Sequence, residues 1–587
     1  MKQSKDKKKR TRLLAASLLV NLCFFTGFLS CADMLETDTD HYKTTEGHVL
    51  NSPNDTIYSM VGILQKMQAI ADRYVLVGEL RGDLLDVTEN ADLELQAISN
   101  FNVKETDKNP YTDTRAYYDI INNCNFFIQR ADTTATVSGR SVMIKELAAV
   151  KTIRAWVYMQ LLLNYGKACY YNNPILTVED RDKIKNDPSV WISDLNTLLN
   201  RLKEPLTEAQ EIQRTLGNPS YNGMHDFINV AFIPATLVLG DLYLYTGQAE
   251  LAAVQYHDYL YSHRLNLLWR RQWWGDAGFS SFISATSSNE SITAIYTSTE
   301  NESGSQLMGW CLPAEWTNRL NVNCTYQLRP SIASMNLWNR QEYAFLPREA
   351  TPLDEPTYTT GDLRGTVRSG TTGLVISYTA SDMPPFFAGN RTISYSNFVT
   401  AESDSLPFIQ MYGEREGDNY YNLSYIYRIA SVYLRYIEAL NRLNKPTLAF
   451  AVLKYGVSNA LFNDPAKVNS EEVNPLPPYC NFPETIFPAT ATATRGIHSR
   501  GCGESDRNRF YVIPADCDTV RFVDEKICDE MALETACEGN RFHDLMRFAN
   551  YYGNEFLATR VANRRGVEDA ALKAKLMNEQ NWFLPHN

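Results

Sequence analysis

The stretch LGDLYLYTGQAELAAVQY, residues 239–256, decides the fold of this chain. Gly240 and Ala252 stand on either side of Gly247, within two largely apolar runs of helix-forming residues. Small side chains let two antiparallel helices approach closely, and glycine suits the turn between them. Pro234 suits the first turn of the leading helix, where its missing N–H costs nothing. The stretch therefore predicts a pair of antiparallel helices.

The fold class follows from repeating this pattern. Tyr243 and Tyr256 complete the spacing of a tetratricopeptide repeat, although Tyr259 stands where that repeat usually has alanine. Apolar periodicity predicts further helices, which run from Tyr425 to a stop at Lys445-Pro446, from LAFAVL at residues 448–453 onward, near Leu147–Tyr165 with Gly166 as the cap, and from about Val523 to Ala549 with a break at Gly539. The predicted fold is mostly α, a tetratricopeptide-like helical repeat scaffold of about four helix pairs, with long irregular loops and few short strands.

The N-terminal residues predict export. Seven basic residues precede an apolar segment over 13–29, a pattern that is typical of a secretory signal peptide. Phe28-Leu29-Ser30-Cys31 resembles a bacterial lipobox, in which Cys31 carries lipid and becomes the first mature residue. A plain signal peptide is one alternative. An uncleaved anchor is another, but it needs about 20 apolar residues to cross a bilayer.

The charge of the mature chain excludes one class of partner. Removal of residues 1–30 takes away seven basic residues and one acidic residue, so the formal net charge changes from −12 to −18. Such an acidic chain is a poor candidate for nucleic-acid binding, where affinity comes mainly from neutralising phosphates. The hydrophobic fraction of 44% predicts a folded chain with a large core, and no second segment is long enough to span a membrane.

The cysteines predict neither a metal site nor a defined disulfide pattern. Nine of the eleven remain after Cys23 is cleaved off and Cys31 is lipidated. No C-x-x-C pattern occurs, so no metal or other cofactor is expected. Export permits disulfides, and a pair among Cys480, Cys502 and Cys517 is possible, whereas buried free thiols are the simpler interpretation for several of the nine.

Motifs scattered along the chain resemble those of the SusD/RagB family of nutrient-binding lipoproteins. The matching elements are Arg154-Ala155 with Tyr158, Leu161 and Tyr165-Gly166; Gly361-Asp362-Leu363-Arg364; Tyr427-Arg428 with Tyr433-Leu434 and Glu438-Ala439-Leu440-Asn441; Glu530, Glu534, Glu538-Gly539, Arg541, Asp544-Leu545 and Arg547; and Trp582-Phe583-Leu584-Pro585. Each motif alone is weak, but their order and spacing behind a lipobox are specific.

The resemblance implies a function and a location. It implies a lipid-anchored protein on the cell-surface side of the outer membrane, which captures glycan oligomers and delivers them to a SusC-like TonB-dependent transporter. Peptide capture by the same type of lid, or a helical-repeat scaffold for a protein partner, are the alternatives. The acidic residues at 33, 36, 38 and 40 are then an export signal, or a solvated tether. The expected organisation is a signal peptide over 1–30, a tether over 31–45, and one domain over 46–587 with halves at about 46–270 and 271–587.

The C-terminal acidic motif favours structure over catalysis. Glu530, Glu534 and Glu538 recur every four residues, which places three carboxylates on one helical stripe. Arg541 and Arg547 follow close behind, where ion pairs with Glu538 and Asp544 form naturally. The chain contains no G-x-S-x-G, no H-E-x-x-H and no P-loop. The prediction is therefore a non-catalytic protein.

Two regions are predicted to supply ligand contacts. Residues 270–420 are rich in Gly, Ser, Thr, Pro and Asn and hold tryptophans whose flat faces suit a sugar ring, of which Trp273, Trp274, Trp310 and Trp316 are the loop candidates. Trp269 and Trp338 are assigned to the core. In relatives an N-terminal loop also contributes, and here that stretch is LRGDLLDVTENADLE, with Arg81, Asp83, Asp86 and Asn90 as polar candidates. A core role for the tryptophans and a solvated turn for the loop are about as probable on pattern alone.

Overall fold

The helix pair predicted over residues 239–256 is present. A computed structural model describes residues 49–221, 228, 230–265, 290–298, 304–314, 317, 322–345, 355–362, 394–396, 406–409, 414–416, 419–488, 496–503 and 507–586. The pair consists of helices Ala235–Tyr245 and Ala249–Ser262, with Pro234 as the residue before the first. A Cβ atom on Gly240 would lie 2.7 Å from the Tyr256 ring, and Gly247 has a φ of +74°. Both glycines are therefore required by the close approach and by the turn.

Helices dominate the described residues, and the predicted mostly α fold class is confirmed. In chain order they are α1 Pro53–Gln68, α2 Ala71–Glu79, α3 Leu93–Ser99, α4 Arg115–Arg130, α5 Ile144–Tyr165, α6 Val178–Lys185, α7 Leu195–Leu216, α8 Ala235–Tyr245, α9 Ala249–Ser262, α10 Leu307–Cys311, α11 Ile332–Asn339, α12 Ile429–Arg442, α13 Pro446–Tyr455, α14 Asn459–Phe462, α15 Ser470–Val473, α16 Ser499–Cys502, α17 Thr519–Thr535, α18 Arg541–Tyr552, α19 Glu555–Ala562 and α20 Ala570–Leu576.

The long helices form one continuous stack. Four pairs that are adjacent along the chain pack together, namely α4 with α5, α8 with α9, α12 with α13, and α17 with α18. Helix α7 lies between α5 and α8, and α12 packs on both α9 and α17. Helix α5 is apolar on nearly all sides and almost every one of its residues is buried, as expected of a helix that is covered on every face. It ends at Gly166, whose φ of +69° provides the predicted left-handed cap.

The strands are short and make six small antiparallel sheets among the described residues. They are β1 Leu85–Val87, β2 Thr136–Val137, β3 Arg140–Ser141, β4 Ala168–Cys169, β5 Trp191–Ile192, β6 Ser291–Ser298, β7 Leu328–Pro330, β8 Glu342–Phe345, β9 Thr357–Thr360, β10 Ser394–Ser396, β11 Leu406–Phe408, β12 Glu414–Glu416 and β13 Asn419–Arg428. Their order is β1–β7, β2–β3, β4–β5, β8–β9, β10–β11 and β12–β13–β6.

Two helix boundaries differ from the sequence prediction. The helix expected from Tyr425 begins at Ile429, because Asn419–Arg428 pairs with β6 and runs directly into α12. The segment expected over 523–549 is two helices, α17 and α18, and the suspected break lies at Gly539 with a φ of +89°. A Cβ atom on Gly78 would lie 1.8 Å from the Gly539 carbonyl oxygen, so α2 touches this turn backbone to backbone.

The nine cysteines at positions 124 to 537 form no disulfide with one another, so the pair considered among Cys480, Cys502 and Cys517 is not formed. Eight are buried, and Cys517 is partly exposed. None of the helices in the described ranges combines the length and apolarity needed to cross a membrane.

Candidate functional site

The acidic motif after residue 530 lies in the core and holds arginines. Arg428, at the junction of β13 and α12, donates from Nε to both Glu538 oxygens at 2.9 Å. Its Nη1 lies 3.3 Å from Glu534 Oε1. His498 Nδ1 lies 2.8 Å from Glu530 Oε2. Each carboxylate thus has a positively charged or imidazole partner, and the predicted structural role of the motif is confirmed.

The pairing of the two following arginines differs in part from the prediction. Arg547 contacts Asp544 Oδ1 at 2.8 Å, as expected from their spacing, and also Glu438 Oε2 at 2.8 Å. Arg541 forms its ion pair with Asp83, with Nε 2.6 Å from Oδ1. Because Asp83 lies in the N-terminal part of the chain, spacing within one helix gave no signal for this contact.

Two predicted ligand residues, Arg81 and Asp83, are structural, and their assignment to a binding face is wrong. The Arg81 side chain is fully buried and donates to the carbonyl oxygens of Val77 and Trp582 and to Asn164 Oδ1. Asp83 is 6% exposed. Burial raises the pKa of Asp83, but the charge and the hydrogen bond of the Arg541 guanidinium lower it by more, so the pKa lies below its usual range. These side chains join the two ends of the chain.

Trp310 is also placed in the core. It lies in α10 with 6% of its surface exposed, where its ring meets the edge of Tyr111 at 5.4 Å between centroids. A tryptophan buried to this extent offers no open face to a sugar, so its assignment as a ligand platform is corrected. Trp338 is fully buried, which confirms its core assignment. Trp269, Trp273, Trp274, Trp316 and Cys31 lie outside the described residues.

Asn90 is exposed and lies two positions before Asp92, which contacts Tyr111. We call this region the Tyr111 surface; it consists of Asn90, Asp92, Tyr111 and Gln327, supported from beneath by Trp310. The Asp92 N–H donates to Gln327 Oε1 at 2.8 Å, and the Tyr111 hydroxyl donates to Asp92 Oδ2 at 3.4 Å. Burial and then the Asp92 carboxylate raise the pKa of Tyr111 to about 12, so its hydroxyl keeps its proton at neutral pH.

The Tyr111 surface is built on the ribbon β1–β7. Asp86 pairs with Arg329 in the register of the two strands, and the ladder continues as the Thr88 N–H donates to the Gln327 carbonyl at 2.9 Å. The Asn90 N–H donates to Thr88 Oγ1 at 3.1 Å. The Asn90 side chain is exposed and makes no hydrogen bond to any residue that the structure describes. Its predicted role in binding stays a prediction.

Two adjacent residues at the start of α2 hold the segments that carry the aromatic pair. Asp72 accepts from Ser305 Oγ at 2.6 Å and from the Gln306 N–H at 2.8 Å, immediately before α10. Arg73 donates to the carbonyl oxygens of Asp113 at 2.5 Å and Pro110 at 2.8 Å, on either side of Tyr111. One helical turn therefore positions both the Trp310 and the Tyr111 segments.

Sequence reasoning missed Tyr111, Gln327, Asp72 and Arg73. Tyr111 had a weak signal, because it follows Asn109-Pro110 in a polar turn where an exposed aromatic is unusual. Gln327, Asp72 and Arg73 had none, since their partners lie 37 to 235 positions away along the chain.

A separate apolar cleft of about 230 Å³ lies between α1 and β6. Its walls include Val61, Leu64, Ile295 and Tyr296, and Gln68 Nε2 donates across it to the Tyr296 carbonyl oxygen at 2.7 Å. Within the described ranges, no group of three or more His, Cys, Asp or Glu side chains is arranged to hold a metal ion.

Residues 364–583 of this chain match the model of the SusD family. Over this part of its length the chain is similar to members of the SusD family. Its fold is similar to a SusD-like carbohydrate binding protein from Bacteroides fragilis, with a TM-score of 0.53 and 15% sequence identity over 87% of this chain and 88% of the other. A SusD homolog from Bacteroides thetaiotaomicron has a TM-score of 0.54 and 15% identity over 93% and 95% of the two chains. A SusD-like carbohydrate binding protein from Bacteroides vulgatus has a TM-score of 0.51 and 14% identity over 85% and 84%. No curated protein matches the chain.

The SusD family match covers the ionic core and leaves out the Tyr111 surface. Arg428, Glu538, Arg541 and Arg547 all fall within residues 364–583, and they lie buried between helices. The residues of the Tyr111 surface all precede position 364. Among the described residues of the matched range, these buried arginines and carboxylates are therefore part of the scaffold.

Proposed function

We propose that this protein is a non-catalytic lipoprotein of the outer membrane, which captures a glycan oligomer at the cell surface and delivers it to a TonB-dependent transporter. The observation that carries the proposal is the Tyr111 surface on a SusD scaffold. A half-buried aromatic ring together with the exposed Asn90 amide matches a sugar, which has an apolar C–H face and a rim of hydroxyls.

The comparisons support the choice of glycan. Two of the similar solved structures are described as carbohydrate binding proteins, and residues 364–583 of this chain match the SusD family model. At 13–16% sequence identity, these structural similarities support the fold alone. The ligand class is therefore inferred from the surface chemistry of this chain.

The burial of the acidic residues and their pairing with arginines support the absence of catalysis. Glycoside hydrolysis needs two carboxyl groups that flank the scissile bond and remain accessible to it. Here Glu438, Glu534 and Glu538 are at most 3% exposed, and each contacts an arginine. Carboxylates that are held in this way serve stability.

Titration calorimetry tests the ligand class. The purified mature protein is titrated with panels of neutral and acidic oligosaccharides and of oligopeptides, and every ligand that binds is then incubated for product release. We expect binding of a glycan without turnover. Tyr111→Ala is expected to weaken binding about tenfold or more, since base- or sugar-sized aromatic stacking contributes about 1–3 kcal/mol. Tyr58→Ala, which removes a tyrosine that is 77% exposed on α1, is the matched control and leaves affinity unchanged.

The outcomes separate the alternatives. Binding of peptides alone moves the assignment to a peptide-binding lid, and product release overturns the non-catalytic assignment. If no ligand binds and a soluble protein co-purifies in place of a membrane transporter, the helical scaffold is the better description.

Lipidation and transporter partnership are tested in cells. Fatty-acid labelling of the wild type, and its loss in Cys31→Ala, is the expected result for an anchor at Cys31. Affinity purification from detergent-solubilised membranes is expected to bring down a large transporter in near-equal amount. Protection of the chain from protease added to intact cells would contradict the surface location.

A further inference from the structure

A half-exposed guanidinium lies at one end of the Tyr111 surface. Arg329 stands in β7 with 40% of its side chain exposed. Its nearest anion is Asp86, with Nη2 3.8 Å from Oδ2, a separation too long for a hydrogen bond. Arg329 has no other polar contact to the described part of the chain, so its planar set of donors faces outward.

Asp86 is already neutralised by a different arginine. Arg565 Nε lies 3.1 Å from both Asp86 oxygens, and Arg565 Nη2 lies 2.9 Å from Oδ1. Asp86 is 3% exposed as a side chain, whereas Arg565 is 40% exposed. Two guanidinium groups thus flank one buried carboxylate, and Arg565 rather than Arg329 takes its hydrogen bonds.

Arg329 and the Tyr111 surface face the same way. Side chains two positions apart in a strand point to the same side and lie about 7 Å apart. Arg329 and Gln327 are two positions apart, and the Gln327 amide oxygen accepts the Asp92 N–H within the Tyr111 surface. Asp92 itself is occupied, because its carboxylate accepts the Leu95 N–H as the cap of α3 and the Tyr111 hydroxyl. A ligand that covers Tyr111 therefore reaches Arg329.

The chemistry of Arg329 selects an anionic group on the ligand. A guanidinium with a free fork of N–H donors matches a planar carboxylate in two parallel hydrogen bonds. A neutral hydroxyl makes weaker hydrogen bonds to a guanidinium than a carboxylate does. We propose that the glycan bound at the Tyr111 surface is acidic, and that Arg329 binds the carboxylate of a uronic acid residue. This inference rests on the proposed function.

The test uses ligands that differ only in charge. Oligogalacturonate, oligoglucuronate and oligomannuronate tetramers are titrated into the full mature chain as free carboxylates and as their methyl esters. We expect at least one free acid to bind, with its ester bound about tenfold or more weakly, because the ester keeps the ring and loses the charge. Arg329→Gln is expected to lower affinity for the acid to the level of the ester. Arg214→Gln, which removes an exposed arginine from α7, is the control and leaves both affinities unchanged.

The contrary outcomes are distinct. If an acid and its ester bind equally, or if Arg329→Gln binds the acid as well as the wild type does, the inference is wrong. If no uronate oligomer binds while a neutral glycan does, the inference is wrong and the proposed function stands. If no glycan binds and peptides bind through Arg329, both fail, and the carboxylate that Arg329 recognises is that of a peptide.

Discussion

Some buried side chains in this protein lie where burial disfavours their charged form, and Glu79 is the clearest example. Its Oε1 accepts the N–H groups of Gly539, Asn540 and Arg541 at 2.8, 3.1 and 3.3 Å, where α18 begins. Carboxylates are favoured at such a helix start. Burial nevertheless raises the pKa of Glu79 to about 7. The N–H groups favour the charged form of Glu79, whereas burial favours the protonated form and has the larger effect.

Glu79 is therefore expected to make stability depend on pH. Its folded pKa exceeds the usual 4.5, so its stabilising contribution is complete below about pH 4.5 and is lost as the pH rises through about 7. Glu79→Gln removes the titration, so the wild type should lose up to about 3 kcal/mol relative to this variant between pH 4.5 and 8. Urea denaturation at several pH values measures the difference. Glu208→Gln, at an exposed position, should follow the wild type, and parallel curves for Glu79→Gln and the wild type would contradict the assignment.

Arg428 is expected to show how much stability is lost when one partner of a buried ion pair is removed. It is 1% exposed and lies among Glu290, Glu534 and Glu538. Arg428→Leu leaves these carboxylates uncompensated, and loss of one partner from a buried ion pair costs about 3–5 kcal/mol. Arg521→Leu, whose arginine is 40% exposed in an i,i+4 pair, should cost less than about 1 kcal/mol. Chemical denaturation of both variants decides whether burial sets the difference.

At the scale of elements, α2 can pack closely against the turn between α17 and α18 because Gly78 has no side chain. Gly78→Ala places a Cβ atom 1.8 Å from the Gly539 carbonyl oxygen, and backbone has to move to relieve it. Overpacking costs about 1–3 kcal/mol, and a clash with rigid backbone belongs at the upper end or beyond. Gly62→Ala in α1 meets nothing within 4 Å and should raise stability by about 0.5–1 kcal/mol, through helix propensity alone. Thermal melts of the two variants should move in opposite directions.

The first turn of α2 is expected to control two loops independently. Arg73→Ala should speed hydrogen exchange over residues 110–113, because their carbonyl oxygens lose its guanidinium. Asp72→Ala should speed exchange over residues 305–311, because Ser305 and Gln306 lose their acceptor. Exchange measured by mass spectrometry resolves the two segments. Equal effects of both variants on both segments would contradict a divided role.

The sequence predicted the secondary-structure elements better than it predicted contacts between individual side chains. Apolar period and glycine position located α5, α8, α9 and the break between α17 and α18. The apolar periodicity did not predict where α12 begins, because Tyr425 and Tyr427 fit an alternating strand as well as a helical stripe. The residues of the Tyr111 surface and the true partners of Arg81 and Asp83 were not predictable, since they depend on contacts across most of the chain. Polar residues in a loop look the same in sequence whether they face solvent or an internal partner.

At the scale of the whole molecule, the two ends of the chain complete each other. Arg81 binds the Trp582 carbonyl, Arg541 binds Asp83, and Arg564 donates to the carbonyl oxygens of Leu80 and Ser99. The Leu584 N–H donates to the Asn164 carbonyl at 2.9 Å. An N-terminal half without these partners would bury unpaired charges and leave apolar surface open.

We therefore expect that residues 46–270 do not fold alone. Expressed by itself, this half should lack a near-ultraviolet dichroism signal and a cooperative melt, because Glu79, Arg81 and Asp83 lose the groups that pair with them. The mature chain should unfold in one transition by both fluorescence and dichroism. A cooperative melt of the isolated half would contradict the single domain predicted over 46–587.

The distribution of thiols supplies a ready-made reporter for such experiments. Burial raises the pKa of Cys124 to about 12 and of Cys528 to about 11, which removes the thiolate that reacts with alkylating reagents. Only Cys517, of the nine thiols between positions 124 and 537, is partly open to solvent. A maleimide should thus attach once to the native chain and nine times after denaturation, so that intact mass counts unfolded molecules directly. The same position takes a single fluorophore without any engineered cysteine, provided that Cys23 and Cys31 are absent from the preparation.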